Sequence, residues 1–128
     1  MVDLVQRLEW MRCSVGQVWD AQTGRCAGEV QRISHDALPE AVAEAEALHG
    51  PGWRLPTRDE LEGLVCQTCP PPMINADAFP DTSAEPYWTS DRNFMAPRNV
   101  YSVNFMTGHI YGRFFPAQEL AVRLVRDR

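Results

Sequence analysis

The sequence contains no lysine: all twelve of its positive charges are arginines, set against seventeen carboxylates for a net charge of −5. A balance of that sign speaks against a general nucleic-acid binder, which shows a basic surface. It leaves planar, bidentate guanidinium groups as the fixed cations, suited to carboxylate, sulfate or phosphate wherever they cluster. No apolar run approaches the ~18 residues of a membrane span, so membrane insertion is not expected. The opening Met1-Val2-Asp3-Leu4-Val5-Gln6-Arg7 lacks the basic-then-apolar layout of a signal peptide. Either the protein is cytosolic or a leader has been removed. His35, His49 and His109 have no metal-ligand spacing, and no serine or cysteine nucleophile has a recognisable base partner. No internal repeat and no low-complexity tract stands out.

What is present fits one domain over residues 1–128. The hydrophobic fraction of 45% and charged fraction of 23% are ordinary for a globular chain able to bury a core. The stretch Gly52-Trp53-Arg54-Leu55-Pro56-Thr57-Arg58-Asp59-Glu60-Leu61 organises the rest. Pro56 biases Leu55 away from helical dihedrals, so Trp53 to Leu55 runs extended into the core. Thr57 and Glu60 then have the spacing of a capping box, and Leu61, Leu64 and Val65 form an apolar stripe of a helix reaching about Val65. An earlier helix is expected over 34–49, capped by Ser34 or Asp36, with Ala41, Val42, Ala45 and Leu48 buried. Gly50-Pro51-Gly52 ends it.

Residues 66–86 form a long connection in which Pro70-Pro71-Pro72 forbids helix and central strand. The pattern then turns to sheet. Tyr87–Ser90 is a short strand. Asn99–Phe105 alternates, with Val100, Ser102 and Asn104 on one face and Tyr101, Val103 and Phe105 on the other. Thr107-Gly108 is a hairpin turn from which His109–Phe115 returns. Ala121–Arg126 is a last strand, with Val122, Leu124 and Arg126 opposite Ala121, Arg123 and Val125. Short strands, two helices, a long loop and an antiparallel sheet together read as α+β.

The four cysteines, Cys13, Cys26, Cys66 and Cys69, are compatible with two disulfides, for which three pairings exist. Cys66-Gln67-Thr68-Cys69 is also a C-x-x-C, a spacing found in dithiol redox sites and in half of a zinc site.

Four separated pieces coincide in order. They are Leu8–Asp20 with Cys26-Ala27-Gly28; Gly52–Thr57 with Glu60-Leu61; Phe79–Thr82 followed by Tyr87–Ser90; and Val122–Arg126. Together they resemble the bacterial domain family found at the C-terminus of the collagen-like adhesin Lcl, a domain of unknown function. The resemblance covers nearly the whole chain. It implies a C-type-lectin-like fold, with two helices flanking a twisted antiparallel sheet and chain ends close together. It implies a Cys13–Cys26 disulfide and an extracytoplasmic (periplasmic or cell-surface) setting. The adhesin's own domain binds sulfated polysaccharide.

A calcium lectin site needs many oxygen ligands, and Glu85-Pro86-Tyr87 supplies one carboxylate beside a proline, far short of six to eight. The C-x-x-C follows a helix and precedes three prolines, whereas a reactive dithiol sits at a helix N-terminus. The expectation is therefore a non-catalytic recognition or adhesion module with no cofactor and no metal. Its ligand is a glycan, sulfated or acidic, or a protein. The ligand face of such a fold lies on its late loops and strands, here Asp91, Arg92, Asn93, Arg98, Asn99, Tyr101, His109, Tyr111 and Arg113. Tyr101 and Tyr111 read alternatively as a half-buried cross-strand pair. Two other functions remain open: a dithiol oxidoreductase-like relative of formylglycine-generating enzymes using Cys66 and Cys69, and a structural assembly subunit.

Overall fold

The computed structural model describes residues 1–128 as an α+β protein with four small antiparallel sheets and one substantial helix. Strands β1 (Val2–Asp3) and β10 (Val125–Asp127) flank β2 (Leu8–Trp10), so both chain ends leave from the same three-stranded sheet. Strands β3 (Val18–Asp20) and β4 (Arg25–Ala27) make a hairpin closed by the Cys13–Cys26 disulfide. Strand β5 (Ile33–Ser34) pairs with β9 (Glu119–Leu120). The largest sheet is β6 (Pro86–Asn93), β7 (Ala96–Asn104) and β8 (Ile110–Phe114), joined by two hairpins. β6 and β7 run further toward their shared turn than expected, β8 is one residue shorter at each end, and the three strands carry every candidate ligand residue except His109.

The chain buries two apolar clusters rather than one. Leu8, Trp10, Leu61, Ile74, Phe79, Tyr87, Val103, Phe105, Ala121 and Val125 form the first. The second contains Ile33, Leu38, Ala45, Trp53, Trp88, Val100, Leu120, Val122 and Leu124. Neighbours in sequence alternate between them: Tyr87 and Trp88 point opposite ways, as do Ala121 and Val122. The period-2 alternation therefore buries both faces, with a separate core on each side. The expected strand over Ala121–Arg126 is corrected: only Val125–Asp127 is strand, and Val122 and Leu124 give their carbonyls to Val15 and Met11 in separate segments instead of one continuous ladder. The expected division of faces still holds, because Val122 and Leu124 enter one cluster and Ala121 and Val125 the other.

The two-helix expectation is corrected in the second element. After a 3₁₀ turn at His35–Ala37, helix α1 runs from Leu38 to His49. Helix α2 covers Arg58–Glu62, five residues, and stops well before Val65. The capping box forms, with the Thr57 hydroxyl accepting from the Glu60 amide at 3.2 Å and Glu60 accepting from the Thr57 amide at 2.8 Å. A good N-terminus does not lengthen a helix. Leu64 and Val65 still pack on the first core, but from a turn after Gly63.

The buried stripe of α1 is also displaced. It is Leu38, Ala41, Val42 and Ala45, whereas Leu48 is 78% exposed. Pro39 sits in the first turn, where its missing N–H costs nothing, so Leu38 itself begins the helix. By the last turn the helix has run past the edge of the core. Neither Ser34 nor Asp36 makes a side-chain cap; Ala37 is the N-cap.

Arg54 ties α2 to the C-terminal strand. It makes a bidentate pair with Glu60 at 2.8 and 2.9 Å and reaches Asp127 at 3.0 Å. Hydrogen bonds from Arg54 hold the Glu60 carboxyl below its ordinary range despite the opposing cost of burial. A depressed folded-state pKa contributes stability that is present above the ordinary carboxylate pKa and lost as pH falls below it. Melting curves should therefore shift down between about pH 5 and pH 3, and Glu60→Gln should flatten that slope while lowering stability at neutral pH. An unchanged slope in Glu60→Gln would remove this ion pair from the acid response.

Candidate functional site

The candidate ligand residues lie on the β6–β7–β8 sheet and its hairpins, and the register divides them between faces. Arg92 pairs with Val100 and Val100 with Phe114, so these three share a face. Ser102 opposite Tyr111 belongs to the same face. Between these pairs β8 has one residue more than β7, a bulge at Gly112 and Arg113. Tyr101 packs its ring over Gly112, and a Cβ at that position would overlap the ring. Tyr101 and Tyr111 are therefore not a cross-strand pair. The bulge separates them, and Tyr101 instead carries the Arg58 guanidinium 4.5 Å above its ring.

Tyr111 is 47% exposed and braced from behind. Its ring meets Phe114 edge-on at 4.8 Å between centroids, and Phe114 meets the fully buried Trp88 at 6.2 Å. Trp88 donates its indole N–H to the Ile33 carbonyl at 2.8 Å and faces His35 at 5.0 Å. Burial pushes the His35 pKa down, which favours a neutral ring donating from Nε2 to the Thr89 carbonyl at 3.1 Å. An exposed aromatic held by such a stack stays in one orientation. With Pro86, Asn104, Thr107, His109 and Ile110 it lines a shallow depression of about 300 Å³. An aromatic face beside an amide, a hydroxyl and an imidazole suits a ring bearing hydroxyl groups.

The other residues have different settings. Asp91 accepts from the Arg58 amide at 2.5 Å, which anchors the start of α2 on the sheet. Asn93 donates to the Gly112 carbonyl at 2.8 Å and accepts from the Met95 amide at 3.0 Å, so it builds the β6–β7 turn. Arg92 stands on the rim of a larger open groove with His35, Leu38, Val42, Trp53 and Arg54. Arg98 and Arg113 are exposed, Asn99 is half-buried, and none of these three side chains makes a hydrogen bond within the chain. Arg92 and Arg113 leave opposite faces of the sheet, so the three arginines are distributed along it rather than gathered on one anion.

Elsewhere four arginines are committed to close ion pairs, while Arg7 has no carboxylate partner and Arg12 and Arg58 lie over the Trp19 and Tyr101 rings. Arg25 pairs with Asp81, Arg32 with Glu85, Arg54 with Glu60 and Asp127, and Arg126 with Glu9. Glu85, the carboxylate of the partial lectin triplet, has its oxygens on Arg32 and Ser83. Cys66 and Cys69 are joined to each other in a turn, with the Cys69 amide on the Cys66 carbonyl at 3.2 Å.

Arg123 is the one wholly buried cation. It donates to the carbonyls of Met11 and Arg12 at 2.8 and 2.6 Å and to the Thr82 hydroxyl at 2.6 Å. Its guanidinium lies 4.8 Å from the Phe79 ring centroid and 5.9 Å from that of Tyr87. Ser14 and Tyr87 share a hydrogen bond at 2.5 Å beside it. Arg126 stacks on Trp53 at 4.5 Å. The four sequence pieces that carry the resemblance thus meet in space, three of them around a single side chain. The family model of the Lcl C-terminal domain matches residues 1–126. The chain belongs to this family. No curated protein matches it. Within this Lcl C-terminal domain, Asn104, Thr107 and Phe114 were not among the expected site residues. Asn104 was detectable, because alternation already put it on the Ser102 face that Tyr111 shares.

Proposed function

We propose that this Lcl C-terminal domain is a non-catalytic recognition module that binds an acidic, sulfated glycan along its β6–β8 sheet. One observation carries the reading. Residues 86–115 hold three arginines and one aspartate, a net charge of +2 in a chain of −5. That aspartate is engaged by the Arg58 amide, while Arg92, Arg98 and Arg113 pair with no carboxylate. Arginines that leave both faces of a sheet fit a flexible polymer bearing repeated sulfates, wrapped over its edge, better than one small anion, since each guanidinium takes a separate oxyanion. Tyr111 adds a stacking surface for a sugar ring, as an exposed, pre-oriented aromatic does at interfaces.

A C-type-lectin-like arrangement belongs to the same proposal. Its supports are the two chain ends meeting on one sheet, helix α1 packed on the second core, and the exposed β6–β7 turn end and β8 of the late sheet. Two disulfides and no free thiol favour an oxidising, extracytoplasmic setting.

Retention on dextran sulfate against unsulfated dextran tests the reading. The parent protein should bind the sulfated polymer, with affinity falling steeply as salt rises. Arg92→Ala/Arg98→Ala/Arg113→Ala should lose nearly all binding, and Tyr111→Ala should weaken it about tenfold with the melting temperature unchanged. Equal binding of the parent and triple variant would end the proposal.

A further inference from the structure

Two of the three most exposed large apolar side chains in the protein are neighbours; Val5 is the third. Phe94 is 96% and Met95 93% exposed, and they form the turn between β6 and β7. Asn93 pairs with Ala96, so these two residues are the central pair of a tight hairpin. Neither residue takes a positive φ, so the turn itself makes no demand for glycine or asparagine there. Large apolar residues gain nothing for the fold at these positions, because neither side chain is covered. Two adjacent large apolar side chains left in water without a folding gain are what a contact surface presents.

The turn is also held still. The Asn93 side chain bonds the Met95 amide on one side and the Gly112 carbonyl on the other, which fastens the tip to β8. Arg92 and Arg98 stand on the two strands just behind it, neither with an acidic partner. Phe115, 58% exposed, follows β8 at the same end of the sheet. An apolar tip behind which a collar of cations waits has the layering of a bilayer interface, acyl chains below and phosphates above. The rest of this acidic chain would be repelled by an anionic surface, which fixes the tip as the part that approaches.

We propose that the Phe94–Met95 hairpin tip docks on an anionic lipid bilayer, the two side chains entering the acyl boundary while Arg92 and Arg98 contact lipid phosphates. The insertion is interfacial; no helix in the protein is long and apolar enough to cross a membrane. The arginines are shared with the glycan reading, but the inference does not rest on it, since a sulfated polymer has no use for Phe94 or Met95.

Co-sedimentation with vesicles of phosphatidylglycerol and phosphatidylcholine, against vesicles of phosphatidylcholine alone, provides the test. The parent should sediment with the anionic vesicles. Phe94→Ser/Met95→Ser, which leaves the charge of the tip unchanged, should lower partitioning by well over tenfold, each side chain accounting for about tenfold. Its circular dichroism and its binding to dextran sulfate should be unchanged. Arg92→Ala/Arg98→Ala should lose partitioning by a further several-fold per arginine, in proportion to the anionic lipid present. Equal sedimentation of the tip variant, or none by the parent, overturns the proposal. It is overturned equally if the parent is a dimer in sedimentation velocity and the tip variant a monomer, for then a second copy covers the tip. Failure of the parent to bind dextran sulfate would count against the glycan reading and leave the lipid result to stand by itself.

Discussion

Arg123→Met is expected to destabilise the domain by about 2–4 kcal/mol, lowering the melting temperature by roughly 10 °C. Opposing effects decide the sign. A buried guanidinium without a carboxylate is costly, and burial pulls the Arg123 pKa down to about 10. That corresponds to a penalty of roughly 3 kcal/mol, which an apolar side chain would not incur. Against it stand three acceptors: the Met11 and Arg12 carbonyls and the Thr82 hydroxyl. Each loses its donor in the methionine variant, at about 1–3 kcal/mol apiece, and the contacts with the Phe79 and Tyr87 rings go as well. The losses outweigh the relief. Arg123→Lys should fare no better, because an ammonium has no planar fork with which to reach both carbonyls and Thr82. Thermal melts of the two variants check this. A methionine variant as stable as the parent would mean that the buried charge is a net burden.

Trp88→Ala is expected to cost about 3–5 kcal/mol. Trp88 is fully buried, fills the space between His35 and Phe114, and donates to the Ile33 carbonyl. Truncation leaves a large cavity and an unsatisfied carbonyl on β5. The effect reaches the proposed ligand face because Phe114, which backs Tyr111, rests on the Trp88 ring. Where Trp88→Ala remains folded at low temperature, its affinity for dextran sulfate should fall toward that of Tyr111→Ala. Loss of stability with full affinity would separate the aromatic stack from recognition.

Much of the sheet was legible because its signals are local. Thr107-Gly108 marks a turn, Gly108 adopts φ 77° there, and the alternation on either side assigns faces. The length of α2 was not legible. Thr57 and Glu60 announce a start, and Gly63, the C-cap, marks the stop, but the apolar stripe of Leu61, Leu64 and Val65 runs across it and reads as a longer helix. Gly112 carried a readable hint, since a glycine inside a strand pattern often marks a bulge. Without that bulge Tyr101 and Tyr111 pair on paper; with it they part.

Ion pairing was beyond local reading altogether. Arg32 meets Glu85 and Arg126 meets Glu9 across 53 and 117 residues of chain. Such pairs depend on topology, so the sequence alone could not separate committed arginines from the free ones on the late sheet. Arg123 was placed on the correct side of its strand, but not as the buried hub that joins three of the recurring segments.

The segment from Ala121 to Val125 is a shared wall between the two cores, and this has a consequence for how the molecule comes apart. Its backbone holds Met11, Val15, Arg54 and Trp88 by hydrogen bonds, while its side chains fill both clusters in turn. Neither cluster has a boundary of its own, so neither melts while the other persists. The domain is thereby a single cooperative unit, opening all at once or not at all. If the late sheet binds as proposed, a surface built on such a unit meets its ligand ready-made, with little ordering entropy left to oppose binding.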